Sequence, residues 1–196
     1  YFIQTPDATT DADPLTSEGI FLFTAGIPPV AAVVGNNVCV TGTVGEFVPT
    51  NDPNSPSQTE LLNITSTIVL STGNPLPTPV VITNAETSPA GTIFQLEKYE
   101  GMRVKVNSLT AVSPTGGTVN ETVITPSTSN GYFYGVLTGT NRPFREPGIQ
   151  TPDPFPSGAP MSIPVFDANP ELLGIASRGL FGSTAINVVT GALLTD

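Results

Sequence analysis

Histidine and tryptophan are absent from the chain, cysteine occurs once, and Lys and Arg together supply six of 196 residues. Without an imidazole, the chain cannot form the Ser-His or Cys-His pair that activates a nucleophile. A single cysteine, Cys39, excludes an internal disulfide and any cysteine-rich zinc site. Because Cys39 lies in an apolar strand pattern, we expect it to be a small buried hydrophobic residue. No apolar run is long enough to span a bilayer, so no membrane partner is expected.

Basic residues are confined to the part of the chain that begins at Lys98. Residues 1–97 hold nine carboxylates and no Lys or Arg, and all six basic residues lie between Lys98 and Arg178. An acidic surface of this kind repels nucleic-acid phosphates unless cations bridge the two. The alternative interpretation of the net charge of −10 is that acidity keeps an exported protein soluble.

The composition predicts an all-β fold. The chain is rich in Thr and Val, has few helix formers in runs, and carries 19 Gly and 21 Pro. Gly and Pro together stay below the range of roughly 25–30% that is typical of disorder. Aromatic and β-branched runs at residues 1–4 and 20–24 predict a hairpin with a long loop. The clearest further strand is 38–47, and the one helical fragment is 94–99, which ends at Gly101.

Three Thr-Gly pairs inside apolar segments, at Gly42, Gly139 and Gly191, indicate bulges or tight bends, which small barrels need at their corners. The sequence thus predicts one or two small OB-like Greek-key barrels with long Pro-rich loops and one short helix. A connector with three prolines near residues 71–79 separates a first unit, residues 1–75, from a second unit, residues 76–196. The second unit includes a Pro-rich loop at 142–164.

A series of short motifs follows a fixed order along the first 150 residues. They are Phe2-Ile-Gln4, Asp11-Ala-Asp13-Pro14, Thr16-Ser-Glu-Gly-Ile-Phe21, Val34-Gly35, the segment 38–47, Gln58-Thr-Glu-Leu61, Leu96-Glu-Lys-Tyr-Glu-Gly-Met102 and Arg142-Pro-Phe-Arg-Glu-Pro-Gly148. In this order they resemble the OB-like region that precedes the catalytic domain in secreted nucleases of the endonuclease/exonuclease/phosphatase superfamily. The order of the motifs is more specific than any single one, and the resemblance weakens after Ile149.

This resemblance implies a non-catalytic, OB-like region of an exported bacterial protein, extracellular or periplasmic, that positions nucleic acid for a covalently linked catalytic domain. Catalytic domains of the superfamily use His together with Asp, Asn and Glu, and no His position can be filled here. We therefore do not expect this chain to be an enzyme by itself. Because the chain starts at Tyr1 inside a predicted strand, we expect it to be a fragment of a longer hydrolase.

The acidic loop between the first two predicted strands is a candidate calcium site. Its oxygen donors are spaced as a hard cation requires, at Asp7, Asp11, Asp13 and Glu18. The loop is not an EF-hand, because Ala12 stands where the required Gly would be and strands flank the loop. The alternative, which the sequence favours, is a solvated acidic turn whose carboxylates cap backbone amides.

Aromatic and basic residues of the second half form a candidate nucleic-acid surface. Tyr132 and Tyr134 share one strand face, and Arg142 and Arg145 follow closely. Aromatic rings that stack on bases beside guanidinium groups are typical of single-stranded nucleic-acid grooves. Lys98, Arg103 and Lys105 would extend this surface. The alternative, again favoured, is that one strand face is core and the Arg residues pair with nearby carboxylates.

Three functional hypotheses follow from these features. The first is the non-catalytic accessory region of a nuclease or phosphodiesterase, which contacts single-stranded nucleic acid. The second is a structural, calcium-stabilised β-module of a secreted protein that has no nucleic-acid role. The third is an independent hydrolase that uses two carboxylates for acid/base chemistry, but it has no supporting motif beyond abundant Asp and Glu.

Overall fold

The computed structural model of the protein describes residues 1–11, 13–50, 53, 55–118, 128–142, 169–177 and 186–195. The chain divides into two compact units, Tyr1–Val81 with Phe94–Lys105 and Ile82–Ile93 with Val106–Asp196. Within the described residues the regular structure is β-strand, apart from two single 3-10 turns. The predicted all-β class is therefore confirmed.

The first unit is built on a mixed four-stranded sheet. Its strands are β1 (Phe2–Gln4), β2 (Gly19–Leu22), β3 (Asn37–Phe47) and β4 (Gln58–Ser71), in the spatial order β1-β2-β4-β3. The predicted hairpin between the first two runs is confirmed, because β1 and β2 pair antiparallel. β2 then pairs with β4 in parallel over two residues only, Glu60 and Leu61.

The antiparallel ladder between β3 and β4 is the longest in the described structure. Its register slips between Thr41 and Thr43, so that β4 carries extra residues there, with Asn63 at a φ of 48°. Gly42 lies in this slip, as its Thr-Gly pattern predicted. A Cβ on Gly42 would lie 2.7 Å from the Leu62 carbonyl oxygen and 2.8 Å from Leu61 Cγ, which leaves room for hydrogen only.

The chain leaves the first unit after Val81 and returns to it at Phe94. On its return it forms the 3-10 turn Glu97–Tyr99 and the strand β6 (Val104–Lys105), which pairs in parallel with β5 (Val80–Val81). The helix predicted at 94–99 is therefore wrong. This segment is tied down by long-range bonds instead: Ser17 Oγ donates to the Glu100 carbonyl (2.5 Å), and the Thr59 amide donates to Glu100 Oε1 (2.8 Å).

The second unit contains another four-stranded sheet. Its strands are β7 (Ser108–Ala111), β10 (Tyr132–Leu137), β11 (Leu173–Ala176) and β12 (Leu193–Thr195), in the spatial order β11-β10-β7-β12 and all antiparallel. A small ribbon of β8 (Gly117–Thr118) and β9 (Thr128–Ser129) accompanies it. The two Thr-Gly pairs of this unit differ from the pair at Gly42. Gly139 and Gly191 lie in turns outside the strands, where they adopt positive φ.

The sheets that the structure describes are open, and none closes into a barrel. The OB-like Greek-key topology stays a prediction, and the Pro-rich loop 142–164 lies outside the described residues beyond Arg142. The domain boundary predicted between residues 75 and 76 differs from the observed division, since β5 and residues 94–105 belong to the first unit. None of the helical segments in the described ranges is long and apolar enough to cross a membrane.

The apolar core is distributed unevenly between the two units. Phe133 and Val136 are each 1% exposed in the second unit, together with buried side chains of β7 and β10, whereas Leu22 is the one fully buried large apolar side chain described in the first unit. Cys39 is exposed, so its predicted burial is wrong. The alternation of β3 places Cys39 on the same face as the exposed Thr41, whereas Val38 and Val40 on the other face are half-buried.

We predict that Gly42→Ala lowers the free energy of unfolding by about 1–3 kcal/mol, because the new methyl group has to displace backbone and Leu side chains from a tight ladder. Gly26→Ala is the matched control, since a Cβ at Gly26 meets no atom within 4 Å. The control change should stay within about 0.5 kcal/mol. Urea unfolding of the two variants measures both values, and equal midpoints would contradict the close approach at Gly42.

Candidate nucleic-acid interface and acidic loop

The carboxylates of the acidic loop between β1 and β2 accept hydrogen bonds from backbone amides of the same loop. Glu18 Oε1 accepts the Asp11 amide (2.7 Å), Asp11 Oδ1 accepts the Asp13 amide (2.8 Å), and Asp13 Oδ1 accepts the Leu15 amide (2.9 Å). The Thr16 hydroxyl adds longer contacts to the Asp11 carboxylate. These are Asx-type bonds, which hold a loop without a ligand.

Asp7, the fourth predicted ligand, is bonded to a different partner. Its carboxylate accepts both the amide of Thr78 (3.0 Å to Oδ1) and the Thr78 hydroxyl (2.6 Å to Oδ2). These two bonds, the hydroxyl first, lower the pKa of Asp7 from its ordinary value of 3.8, and Arg103 adds a smaller favourable charge effect. The structure thus links Asp11, Asp13 and Glu18 by consecutive hydrogen bonds and directs Asp7 toward the strand connector.

Across the described ranges, no group of three or more His, Cys, Asp or Glu side chains is arranged to hold a metal ion. The carboxylates of Asp11, Asp13 and Glu18 remain solvent-exposed at the loop, and each uses one oxygen to accept a backbone amide. Calcium would have to compete with these amides. The calcium site stays a prediction.

A second carboxylate group, which the sequence did not reveal, forms where residues 94–105 return to the first sheet. Burial raises the pKa of Glu97, and the neighbouring charges of Glu100 and Glu46 raise it further. The Thr59 hydroxyl donates to Glu46 Oε1 (2.8 Å) while the Thr59 amide donates to Glu100. No local sequence pattern predicts this cluster, because it depends on a long-range return of the chain.

Tyr132 and Tyr134 lie on one face of β10, as the alternation of a strand predicts. Their rings contact edge to face, with centroids 5.1 Å apart and planes at 87°, a favourable aromatic geometry. Phe133 points the other way and is 1% exposed. The strand therefore separates a buried ring in the core from a pair of phenols on the opposite face.

The tyrosine pair covers a glycine of the neighbouring strand. Tyr134 lies opposite Gly174 in the register of β10 and β11, and a Cβ at residue 174 would collide with the Tyr132 hydroxyl. Tyr132 is nevertheless 38% exposed. Burial of its hydroxyl, with a smaller effect of the Tyr134 phenol, raises the pKa of Tyr132 to about 12. Tyr132 is thus partly accessible, although its hydroxyl is affected by burial.

The cations of the predicted surface are only partly brought together. Arg142 is exposed and belongs to the same unit as the tyrosines, whereas Arg145 lies outside the described residues. Lys98 and Arg103 belong to the first unit. There the Lys98 ammonium lies 4.9 Å from the centroid of the Tyr99 ring, and the Arg103 guanidinium donates to the Pro77 carbonyl.

The second unit also contains an open cleft of about 470 Å³ beside the end of β10. Its lining includes the amide side chains of Asn84 and Asn107, the hydroxyls of Ser108 and Thr138, and the apolar side chain of Leu137. None of the described residues that line it is ionisable.

Comparison of the chain with protein-family models, with curated proteins and with solved structures found no match. The nuclease resemblance and the residue roles it implies stay predictions, to be judged by experiment.

We predict that Thr78→Val raises the pKa of Asp7 toward 3.8, because the variant removes the hydroxyl donor and keeps the side-chain shape. When folding lowers the pKa of a carboxyl group, the group stabilises the fold fully at a pH above its unfolded-state pKa. This stabilisation is lost as the pH falls through the pKa of the folded state. The variant should therefore be less stable than the parent near neutral pH and equal to it in strong acid.

Carbon-13 NMR titration of the Asp7 carboxyl measures the shift directly. Thr10→Val is the matched control, because the Thr10 hydroxyl bonds the Asp7 carbonyl and not its carboxylate. An Asp7 titration that is identical in the parent and in Thr78→Val would contradict the bond.

Proposed function

We propose that this chain is a non-catalytic, OB-like Greek-key accessory region of an exported nuclease or phosphodiesterase, and that it positions single-stranded nucleic acid for a separate catalytic domain. The order of the sequence motifs and the β-rich fold support the proposal. The single observation that carries it is the half-exposed, rigidly held tyrosine pair on β10, in the unit that also contains Arg142.

The tyrosine pair offers what a stacking site requires. Tyr132 is fixed by its edge-to-face contact with Tyr134 and by its position over Gly174, so little conformational entropy is lost when a base stacks on it. Stacking contributes about 1–3 kcal/mol per base and tolerates any sequence. A contact with one or two bases is then weak, at best micromolar.

Electrostatics disfavours residues 1–97 as the binding surface. Residues 1–97 carry no basic residue, and each uncompensated carboxylate opposes the counterion release that drives phosphate binding. Arg142 and Arg145 follow the tyrosines in the sequence and supply the cations of the proposed site. Because six cations face 16 carboxylates over the whole chain, binding should be observable at low ionic strength only.

We predict that labelled single-stranded oligonucleotides bind at low salt and that Tyr132→Ala weakens this binding by about five- to a hundredfold, the loss of one stacked base. Tyr99→Ala is the matched control. It removes a tyrosine ring that lies in the first unit, outside the proposed site, and that contacts the Lys98 ammonium. Arg142→Ala with Arg145→Ala should weaken binding to all sequences alike and reduce the salt dependence. Fluorescence anisotropy measures each constant.

Absence of binding at low salt would reject the proposal, and so would equal losses in Tyr132→Ala and Tyr99→Ala. Either result would favour the second candidate, a structural β-module of a secreted protein. One observation supports that candidate specifically: the carboxylates of the acidic loop already bond the backbone of the loop and of Thr78. Such a loop fixes two strands without contacting any partner.

Calcium is the cofactor proposed for this second candidate, held by Asp7, Asp11, Asp13 and Glu18. Bound calcium should raise the melting temperature by mass action, and stabilisation reaches about 2.7 kcal/mol when calcium is at about 100 times its dissociation constant. We predict that Asp13→Asn with Glu18→Gln abolishes the rise, because the exposed ligands are neutralised. Differential scanning calorimetry with calcium and with magnesium tests this. A melting curve unchanged in millimolar calcium would mean that the loop is a solvated turn and not a calcium site.

A further inference from the structure

The short connection between β9 and β10 consists of Asn130 and Gly131. No other Asn in the sequence is followed by Gly. Asn130 is exposed to solvent, and Gly131 adopts a φ of 68°, a conformation that glycine accepts without strain. Because glycine has no Cβ, its backbone nitrogen is the least hindered among the residue types. The pair thus joins an exposed carboxamide to a sterically unhindered nitrogen.

Two hydrogen bonds bring the Asn130 side chain and the Gly131 nitrogen into one turn. Asn130 Oδ1 accepts the Tyr132 amide (3.0 Å), which makes an Asx turn, and such a turn folds the carboxamide back along the following peptide. This bond also makes the carboxamide carbon, Cγ, more electrophilic. The Gly131 amide donates to the Ser129 hydroxyl (3.1 Å), a bond that rotation of the Ser129 side chain releases while the backbone stays in place.

We propose that Asn130 is a site of spontaneous covalent modification, deamidation through a cyclic imide with water as the co-reactant, and that this modification weakens the nucleic-acid surface of the second unit. The effect on nucleic acid rests on the proposed function, whereas the modification itself does not. The observations that carry the proposal are the unhindered glycine nitrogen, the Asx turn and the exposure of Asn130.

The reaction has two steps, and both balance without a further reagent. In the first step the Gly131 nitrogen loses its proton and bonds to Cγ of Asn130. The bond from Cγ to the carboxamide nitrogen breaks, and ammonia leaves with that proton, so that a five-membered imide ring remains. In the second step water opens the ring at one of its two carbonyl carbons. Opening at the backbone carbonyl yields isoaspartate, and opening at Cγ yields aspartate.

Either product changes the beginning of β10, whose first residue is Tyr132. Each product adds a carboxylate, and therefore a negative charge, two residues before this tyrosine. Isoaspartate also lengthens the main chain by one methylene group and turns the oxygen that accepted the Tyr132 amide into a main-chain carbonyl. Since an added carboxylate opposes phosphate binding, the modified chain binds nucleic acid more weakly.

Incubation of the folded, full chain at about 37 °C and about pH 7.4 for several weeks tests the modification. Mass spectrometry measures the gain of about 1 Da at each Asn, and an isoaspartyl methyltransferase labels the isoaspartate product. Asn84 and Asn107 are internal controls, because both are exposed and each precedes a residue that has a Cβ. We expect Asn130 to convert about tenfold or more faster than either control. The rate should rise further at about pH 9, where more of the attacking nitrogen is deprotonated.

A pair of serine variants tests the geometry of the turn. Ser129→Ala removes the hydroxyl that holds the Gly131 amide and should speed the reaction by about two- to tenfold, the effect of one hydrogen bond. Ser113→Ala is the matched control, because the Ser113 hydroxyl accepts another amide of the second unit, that of Tyr134 (3.0 Å). It should leave the rate at Asn130 unchanged. Circular dichroism verifies that both variants are folded.

Oligonucleotide binding at low salt measures the consequence of the modification. We expect chain that carries isoaspartate at position 130 to bind about threefold or more weakly than fresh chain, because the added charge repels phosphate. Asn130→Asp adds the same charge without the methylene group and keeps an oxygen for the Tyr132 amide. This variant should also bind more weakly than the parent chain.

Conversion at Asn130 that is no faster than at Asn84 and Asn107 would overturn the proposed modification. Equal rates in the Ser129→Ala and Ser113→Ala variants would overturn it too. Unchanged binding by the modified chain would overturn the effect on the nucleic-acid surface. If neither fresh nor modified chain binds oligonucleotides, the proposed function and the effect on binding fail together, whereas the mass measurement still decides the modification.

Discussion

Backbone hydrogen bonding along β4 is the interaction on which the first unit depends. β4 joins β2 to β3, and Leu22 is the one large apolar side chain described there as fully buried. With so little apolar burial, the ladder and the side-chain bonds to backbone, such as Glu100 to the Thr59 amide, carry a larger share of the stability than is usual. This also explains why a close backbone approach at Gly42 matters, since it keeps the ladder continuous through the slip in register.

The second unit has the larger described apolar core, and the strand that builds this core also carries the candidate site. β10 lies between β11 and β7, and it places Phe133 in the core while Tyr132 and Tyr134 occupy the other face. The backbone hydrogen bonds that hold Phe133 in the core therefore also hold the two tyrosines in place. A stacking surface on a central strand is more rigid than one on a loop, and rigid aromatic groups lose the least entropy on binding.

Strand composition and period predicted most of the elements, because these are local properties. The hairpin of β1 and β2, the long strand β3 and the irregularity at Gly42 were all confirmed. The predictions that failed depended on distant contacts. The segment 94–99 has helix-forming residues but forms only the 3-10 turn Glu97–Tyr99, and the next residue, Glu100, bonds to Ser17 and Thr59. Cys39 lies with the exposed Thr41 on one face of β3. The shared strand face of Tyr132 and Tyr134 followed from strand alternation, whereas the Glu46, Glu97 and Glu100 cluster had no local signal.

The two carboxylate groups of the first unit show how position determines what an acidic residue does. Hydrogen bonds from Thr78 lower the pKa of Asp7, while burial beside Glu100 and Glu46 raises that of Glu97. A raised pKa next to a second carboxylate is the pattern that a general acid requires, so this cluster is where a carboxylate hydrolase would have its site. However, Thr59 donates to both Glu46 and Glu100, and neither of them lines the 470 Å³ cleft. These bonds fasten the returning segment to β4, and the arrangement favours a structural role for the cluster over acid/base chemistry.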